Sequence, residues 1–179
     1  MVSNSLEELS LSYNGGKDCL VLLILLLVSL ANHSRAHSQS AALPAKLQSV
    51  YIISPHPFAE VDAFVNESVA EYSLDLARYA MPMKEAFKLY LEEHRNVKAI
   101  LVGTRRTDPH GQRLTHFDLT DKGWPAFMRV HPVIDWHYAE IWAVGPPSTN
   151  NLSEKILMEV VYTTFEDPIL FTILPRWSL

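Results

Sequence analysis

The sequence predicts an α/β fold, a mostly parallel sheet with helices on both faces, and three observations carry that expectation. Apolar runs of strand length alternate with longer helical patterns, the first strand stops at Asn14-Gly15-Gly16 and restarts as a helix, and the compact apolar run 97–102 ends at Gly103 as a buried parallel strand does. Leu9, Leu11 and Tyr13 alternate with Ser10 and Ser12, the period of a strand. From Asp18 to Leu30 leucine dominates, which predicts a helix apolar on nearly every face and therefore buried against the sheet. Residues 32–48, with serines, basic residues and Pro44, read as a loop or a frayed helix end. Residues 50–53 form the next strand, closed by Ser54-Pro55-His56-Pro57 because proline removes a ladder donor.

Val61, Phe64, Val65, Val69 and Tyr72 recur at helical spacing over 59–72, and Ala86, Phe87, Tyr90 and Leu91 do so over 83–94, with a brief strand at Leu74 and Leu76 between them. Residues 111–135 read as irregular. A helix over 136–142 would gather Trp136, Tyr138, Ile141 and Trp142 on one apolar face and stop at Gly145-Pro146-Pro147. A further helix over 153–162 and an apolar run over 169–174 complete the reading.

A chain of 179 residues suffices for one domain with one core. Its net charge of -5 offers nucleic acid or anionic lipid no long-range attraction, so neither is an expected partner and any anion site must be local. Cys19 is the only cysteine, which excludes an intramolecular disulfide and a zinc site built on several thiolates; the histidines form no zinc motif. Beside Lys17 at a helix start, its thiol has the surroundings that lower a pKa. The apolar run from Cys19 falls short of the roughly 20 residues of a bilayer span. Residues 1–10 hold two glutamates and no basic residue, unlike a secretory signal, so the expected compartment is the cytoplasm and the expected state a monomer.

The chemistry concentrates after the first strand. Gly15 and Gly16 permit a tight turn, and the helix that follows points its N–H groups and positive end into the same space, which is an anion site. Lys17 adds a point charge for triphosphate oxygens, while Asn14 and Asp18 are oxygen ligands of the kind Mg²⁺ takes beside phosphates and water. The spacing is neither that of the GxxxxGK[ST] loop nor that of GxGxxG. In a parallel sheet ligands collect beyond the carboxyl ends of strands, so this turn and the segment Gly103–Pro109 are expected to face one another.

The run Leu11-Ser12-Tyr13-Asn14-Gly15-Gly16-Lys17-Asp18-Cys19 closely resembles the pyrophosphatase-type loop of eukaryotic FAD synthases, FMN adenylyltransferases related to the phosphoadenylyl-sulfate reductase superfamily. Gly103-Thr104-Arg105-Arg106-Thr107-Asp108-Pro109 is a second match, and Gly123-Trp124-Pro125-Ala126-Phe127-Met128-Arg129 with Pro132 and Asp135-Trp136 a third. The resemblance implies an adenine nucleotide alpha-hydrolase-like (Rossmann-like) fold and transfer of AMP from MgATP to FMN, with FAD and pyrophosphate as products. It places Ser12, Tyr13, Asn14, Gly15, Gly16, Lys17 and Asp18 around the ATP phosphates, with Asn14 and Asp18 near magnesium. Ser54, Pro55 and Phe58 stand as the wall beside adenosine. Gly103, Arg105, Arg106, Thr107 and Asp108 belong to the flavin-side loop, where Asp108 orients phosphates and an arginine meets anionic oxygen. Arg129 is a candidate ligand-binding residue or a surface partner of Asp135; Trp124, Phe127, Trp136 and Trp142 are candidates to line a flavin-ring pocket or to pack in the core. No separate general base is implied, because the FMN phosphate is largely a dianion at neutral pH.

The match fades after Trp142, so 1–142 is expected to be the adenylyltransferase-like domain and 143–179 a divergent tail. Absence of a tail cysteine excludes a reductase of the related type. Two readings stay open: an active transferase, or a shortened, catalytically impaired relative that only binds nucleotide or flavin.

Overall fold

The computed structural model describes residues 6–36, 45–56 and 58–144. The expected helix 153–162, the apolar run 169–174 and the Gly145-Pro146-Pro147 stop lie outside them. A 3-10 turn at Leu6–Glu8 leads into β1 (Leu9–Ser12), followed by α1 (Lys17–Ala36), β2 (Leu47–Ile52), α2 (Ala59–Glu71), β3 (Leu74–Tyr79), α3 (Met83–Glu93) and β4 (Ala99–Leu101). Two short strands, β5 (Phe117–Leu119) and β6 (Met128–Val130), precede α4 (Tyr138–Val144). The sheet order is β3-β2-β1-β4-β6-β5, parallel throughout except for the antiparallel β5–β6 pair.

Successive strand residues feed two different cores, as the period of two requires. Ala99 and Leu101 of β4 join Leu11, the leucines of α1, Val65 of α2 and Ile141 of α4, while Ile100 between them joins Ala86, Phe87 and Tyr90 of α3. Ser10 likewise turns toward α3, its hydroxyl 2.7 Å from that of Tyr90. Helices α1, α2 and α4 therefore cover one face and α3 the other. Residues 20–26 of α1 are all buried, as a helix without a polar stripe must be.

Because β2 and β4 lie on opposite sides of β1, the chain reverses direction across the sheet at β1/β4, the switch point where open α/β sheets bind ligands. Three local expectations are corrected. β2 begins at Leu47, whose N–H donates to Ser73 O at 3.0 Å, because pairing with all six residues of β3 outweighs the polar composition before Val50. The irregular stretch contains β5 and β6, too short to display periodicity; Val102 N–H donates to Val130 O at 2.8 Å and Met128 N–H to Lys98 O at 2.9 Å, joining β6 to β4. Helix α4 starts at Tyr138 and does not gather its aromatics on one apolar face, since Ile141 is buried while Tyr138 and Trp142 are more than half exposed. Among the described residues, no helix is long and apolar enough to cross a membrane.

Candidate nucleotide site

The turn between β1 and α1 is built by its own residues. Gly15 adopts φ +75°, and a Cβ there would meet Val65 Cγ2 at 2.8 Å, so both conformation and space demand glycine. Asn14 Oδ1 accepts from the Gly16 N–H at 2.9 Å and locks the turn. Lys17 opens α1 and Asp18 lies in its first turn, where the helix dipole favours a negative group. From the other side of the switch point, Gly103 brings the loop after β4 against α1; a Cβ would stand 3.1 Å from both Asp18 C and Cys19 N, helix backbone that has no room to yield.

This close approach assembles four charges. Asp18 takes Lys17 Nζ on Oδ2 at 2.7 Å and Arg105 Nε on Oδ1 at 2.9 Å. The second contact is an ion pair without hydrogen-bond alignment, and both Asp18 Oδ1 and Arg105 Nε are buried without a hydrogen-bond partner. Asp108 holds Arg105 twice, accepting its backbone N–H on Oδ2 at 2.8 Å and its Nη2 on Oδ1 at 3.0 Å. Two cations and two carboxylates balance here, so the cluster has no net positive charge of its own. Tyr138 overlies the cations, its ring centroid 5.5 Å from Lys17 Nζ and 6.0 Å from Arg105 Cζ.

A cavity of about 480 Å³ adjoins the turn. Ser12 and Asn14 line its end nearest the glycine turn, Val50, Ile52, Phe87 and Val102 its apolar wall, and Trp124, Phe127, Arg129 and His131 its far side. Its size and mixed apolar lining suit a ring ligand with a few polar anchors. Arg129 donates Nη2 to Leu119 O at 2.9 Å and has Nη1 3.6 Å from Asp121, not from Asp135, while its Nε is buried without a partner. His131 is 1% exposed with Nδ1 3.0 Å from Thr115 O. Burial lowers its pKa, opposed by the Thr115 carbonyl and the Asp118 charge.

The remaining expected residues fall in different places. Arg106 pairs with Asp135 at 2.6 Å and donates to Leu114 O at 2.8 Å, which spends it on pinning the loop to the 131–137 turn. Tyr13 turns its ring into the core and donates its hydroxyl to Ser68 Oγ at 2.8 Å. Ser54, Pro55 and Phe58 are exposed at the carboxyl end of β2, and Thr107 is exposed on the loop after β4. Trp124 and Phe127 line the cavity, whereas Trp136 packs against the core and Trp142 lies on α4 meeting Tyr138 edge-on. The expectation of an acidic thiol at Cys19 is corrected: burial, and next among the raising effects the Asp18 charge, push it up to about 11. Sequence reasoning missed Tyr138 and His131 as site residues. Tyr138 was absorbed into an apolar helix face, and His131 follows a strand too short to read; only the unusual density of Trp and Tyr at 136–142 could have drawn attention to the former.

For a divalent cation, the oxygen donors at the turn are the Asp18 carboxylate, whose Oδ1 makes no hydrogen bond but faces Arg105 Nε, and Asn14 Oδ1, which already serves the turn and keeps one lone pair. No group of three or more His, Cys, Asp or Glu that would cage a metal occurs among the described residues.

The sheet with its switch point and glycine turn defines an α/β domain of the adenine nucleotide alpha-hydrolase-like class. The chain belongs to the phosphoadenosine phosphosulfate reductase domain family, whose model matches residues 8–94 and 78–145. Within it, the chain is 46% identical over 139 residues to a probable FAD synthase of Schizosaccharomyces pombe, covering 76% of this chain and 51% of that protein. It is 34% identical over 150 residues to the flavin adenine dinucleotide synthase of Saccharomyces cerevisiae, covering 76% and 49%. Among solved structures, Candida glabrata FMN adenylyltransferase in complex with FMN and the ATP analogue AMPCPP matches at 38% identity and TM-score 0.70, over 76% of this chain and 46% of that one. Yeast FAD synthetase in complex with FAD matches at 36% identity and TM-score 0.72, over 79% and 50%. The chain thus spans about half the length of the curated relatives it matches.

Proposed function

We propose that the chain performs, or derives from, ATP:FMN adenylyl transfer. A phosphate oxygen of FMN attacks the α-phosphorus of ATP, the bond from that phosphorus to the bridging oxygen breaks, and pyrophosphate leaves with the electron pair. The observation that carries this reading is the adjacency of the Lys17–Asp18–Arg105 cluster to a ring-sized cavity ending at Trp124 and Phe127. Relatives that bind FMN, an ATP analogue and FAD support the same assignment.

In this reading the Gly15-Gly16 turn and the α1 N-terminus cradle the ATP phosphates, and Lys17 and Arg105 neutralise charge as pyrophosphate departs. Asp18 would hold Mg²⁺, with Asn14 as a second oxygen, and the ion supplies further neutralisation when bound. Asp108 fixes Arg105 rather than acting as a base, and Ser12 and Gly103 shape the space between. Ser54, Pro55 and Phe58 form the adenosine wall; Trp124 and Arg129 serve the flavin. Arg106 supports Asp135 and the loop and is assigned no contact with the reacting groups. Residues 1–142 are the working unit and 143–179 an appended tail, acting as a cytoplasmic monomer without nucleic acid or membrane. A second reading is binding of nucleotide or flavin without transfer, which needs fewer aligned groups than the transfer does.

The deciding experiment is FAD formation from FMN and MgATP by the purified chain. Product that falls by at least about tenfold in Asp18→Asn, with folding retained, is expected when a metal-facing carboxylate is removed. Binding of both substrates without product would select the second reading, and full turnover by Asp18→Asn would remove the metal role.

A further inference from the structure

Tyr138 opens α4 with 59% of its surface exposed, yet its ring sits over two cations, Lys17 and the buried Arg105. Lys17 comes from the start of α1, Arg105 from the loop after β4, and the ring from a third element. Trp142, one turn later, meets Tyr138 edge-on with centroids 5.9 Å apart and planes at 64°, which props the ring in place. An aromatic face attracts a cation within about 6 Å of its centroid, and Tyr138 has two such cations at 5.5 and 6.0 Å.

The ring differs from the other partners of these cations in one chemical respect. Asp18 and Asp108 occupy donors of Lys17 and Arg105, so a polyphosphate must compete with them. An aromatic face holds a cation by its quadrupole and leaves most N–H donors unspent; an ammonium has three and a guanidinium five. We propose that Tyr138 is a positioning residue for the nucleotide phosphates: its ring holds Lys17 and Arg105 beside the two oxygens of Asp18 while leaving their donors open to phosphate oxygens. The phosphate part rests on the proposed function; the clamp itself belongs to the ligand-free chain.

Two measurements on the full 179-residue chain test it. In the ligand-free state, the Lys17 ε-methylene protons are expected to show an upfield ring-current shift that persists in Tyr138→Phe and disappears in Tyr138→Leu. By calorimetry, MgATP affinity is expected to be retained in Tyr138→Phe and to fall roughly two- to fivefold in Tyr138→Leu. Phenylalanines carrying successively more fluorine at position 138 should weaken binding step by step, a trend that packing alone does not produce. A Lys17 shift unchanged in Tyr138→Leu overturns the clamp. Equal MgATP affinity in the parent and Tyr138→Leu, or a flat fluorine series, overturns the phosphate role while leaving the proposed function standing. A parent chain that binds no MgATP overturns the phosphate role and the proposed function together.

Discussion

Cys19 shows how far one residue's chemistry depends on its surroundings. A thiol beside a lysine at a helix start is ordinarily acidified, but here burial and the Asp18 charge take it to about 11. At pH 7.5 its thiolate fraction is about a hundredfold below that of an ordinary free thiol, so iodoacetamide is expected to alkylate the native chain correspondingly slowly and the urea-unfolded chain at the normal rate. Alkylation of the native protein at the unfolded rate would contradict the burial. His131 is the other displaced group. Its folded pKa lies below the ordinary histidine value of 6.5, mainly through burial, so the unfolded state binds the proton more readily. The stability it contributes is complete above about pH 6.5 and is lost as pH falls from there toward the folded pKa. The urea midpoint should therefore drop between pH 7.5 and 5.5, and His131→Asn should flatten that part of the profile. An unchanged slope in His131→Asn would assign the pH dependence elsewhere.

At the scale of elements, α1 and the β5–β6 ribbon play opposite parts. Helix α1 is buried along its leucine-rich half and follows directly on the glycine turn, so loosening its packing also moves Lys17 and Asp18. Leu23 is 0% exposed, and Leu23→Ala is expected to cost about 2–5 kcal/mol in urea unfolding through lost transfer energy and an unfilled cavity. Leu119 on β5 is 67% exposed, and Leu119→Ala is expected to stay within about 0.5 kcal/mol. Similar costs at the two positions would contradict this division. The ribbon contributes position instead: β6 adds to β4 and carries Arg129 to the cavity, and Thr120 Oγ1 bonds Pro125 O at 2.8 Å to close the turn that presents Trp124. The carboxylate–arginine contacts follow the same logic. Asp135 and Arg106 are both substantially exposed, so this pair's value is geometric, joining two loops, with little net energy in water.

For the molecule as a whole, a net charge of -5 must admit two anionic substrates under the proposed function. Long-range repulsion is screened by salt, whereas Lys17, Arg105 and the helix end would act at contact distance, well inside the roughly 10 Å screening length at 0.1 M. Raising salt from 50 to 200 mM is therefore expected to change MgATP affinity by less than about threefold, measured by calorimetry. A tenfold loss would mean that distant charges steer binding.

The sequence by itself determined the features that local chemistry imposes: a glycine turn between strand and helix, a leucine helix with nowhere to go but inward, and a strand ending at Gly103. Each follows from a few consecutive residues, because backbone conformation and hydrophobic period are short-range properties. It also brought Asp18 and Arg105 toward one another, through the rule that ligand sites gather at strand ends. Only the tertiary structure decided which of two adjacent arginines reaches Asp18, that Tyr138 overlies both cations, that β5 and β6 exist, and that the Cys19 thiol is a weaker acid than a free one. Those outcomes depend on register between strands far apart in the chain and on the desolvation that close packing produces, and neither is encoded in the neighbours of any one residue.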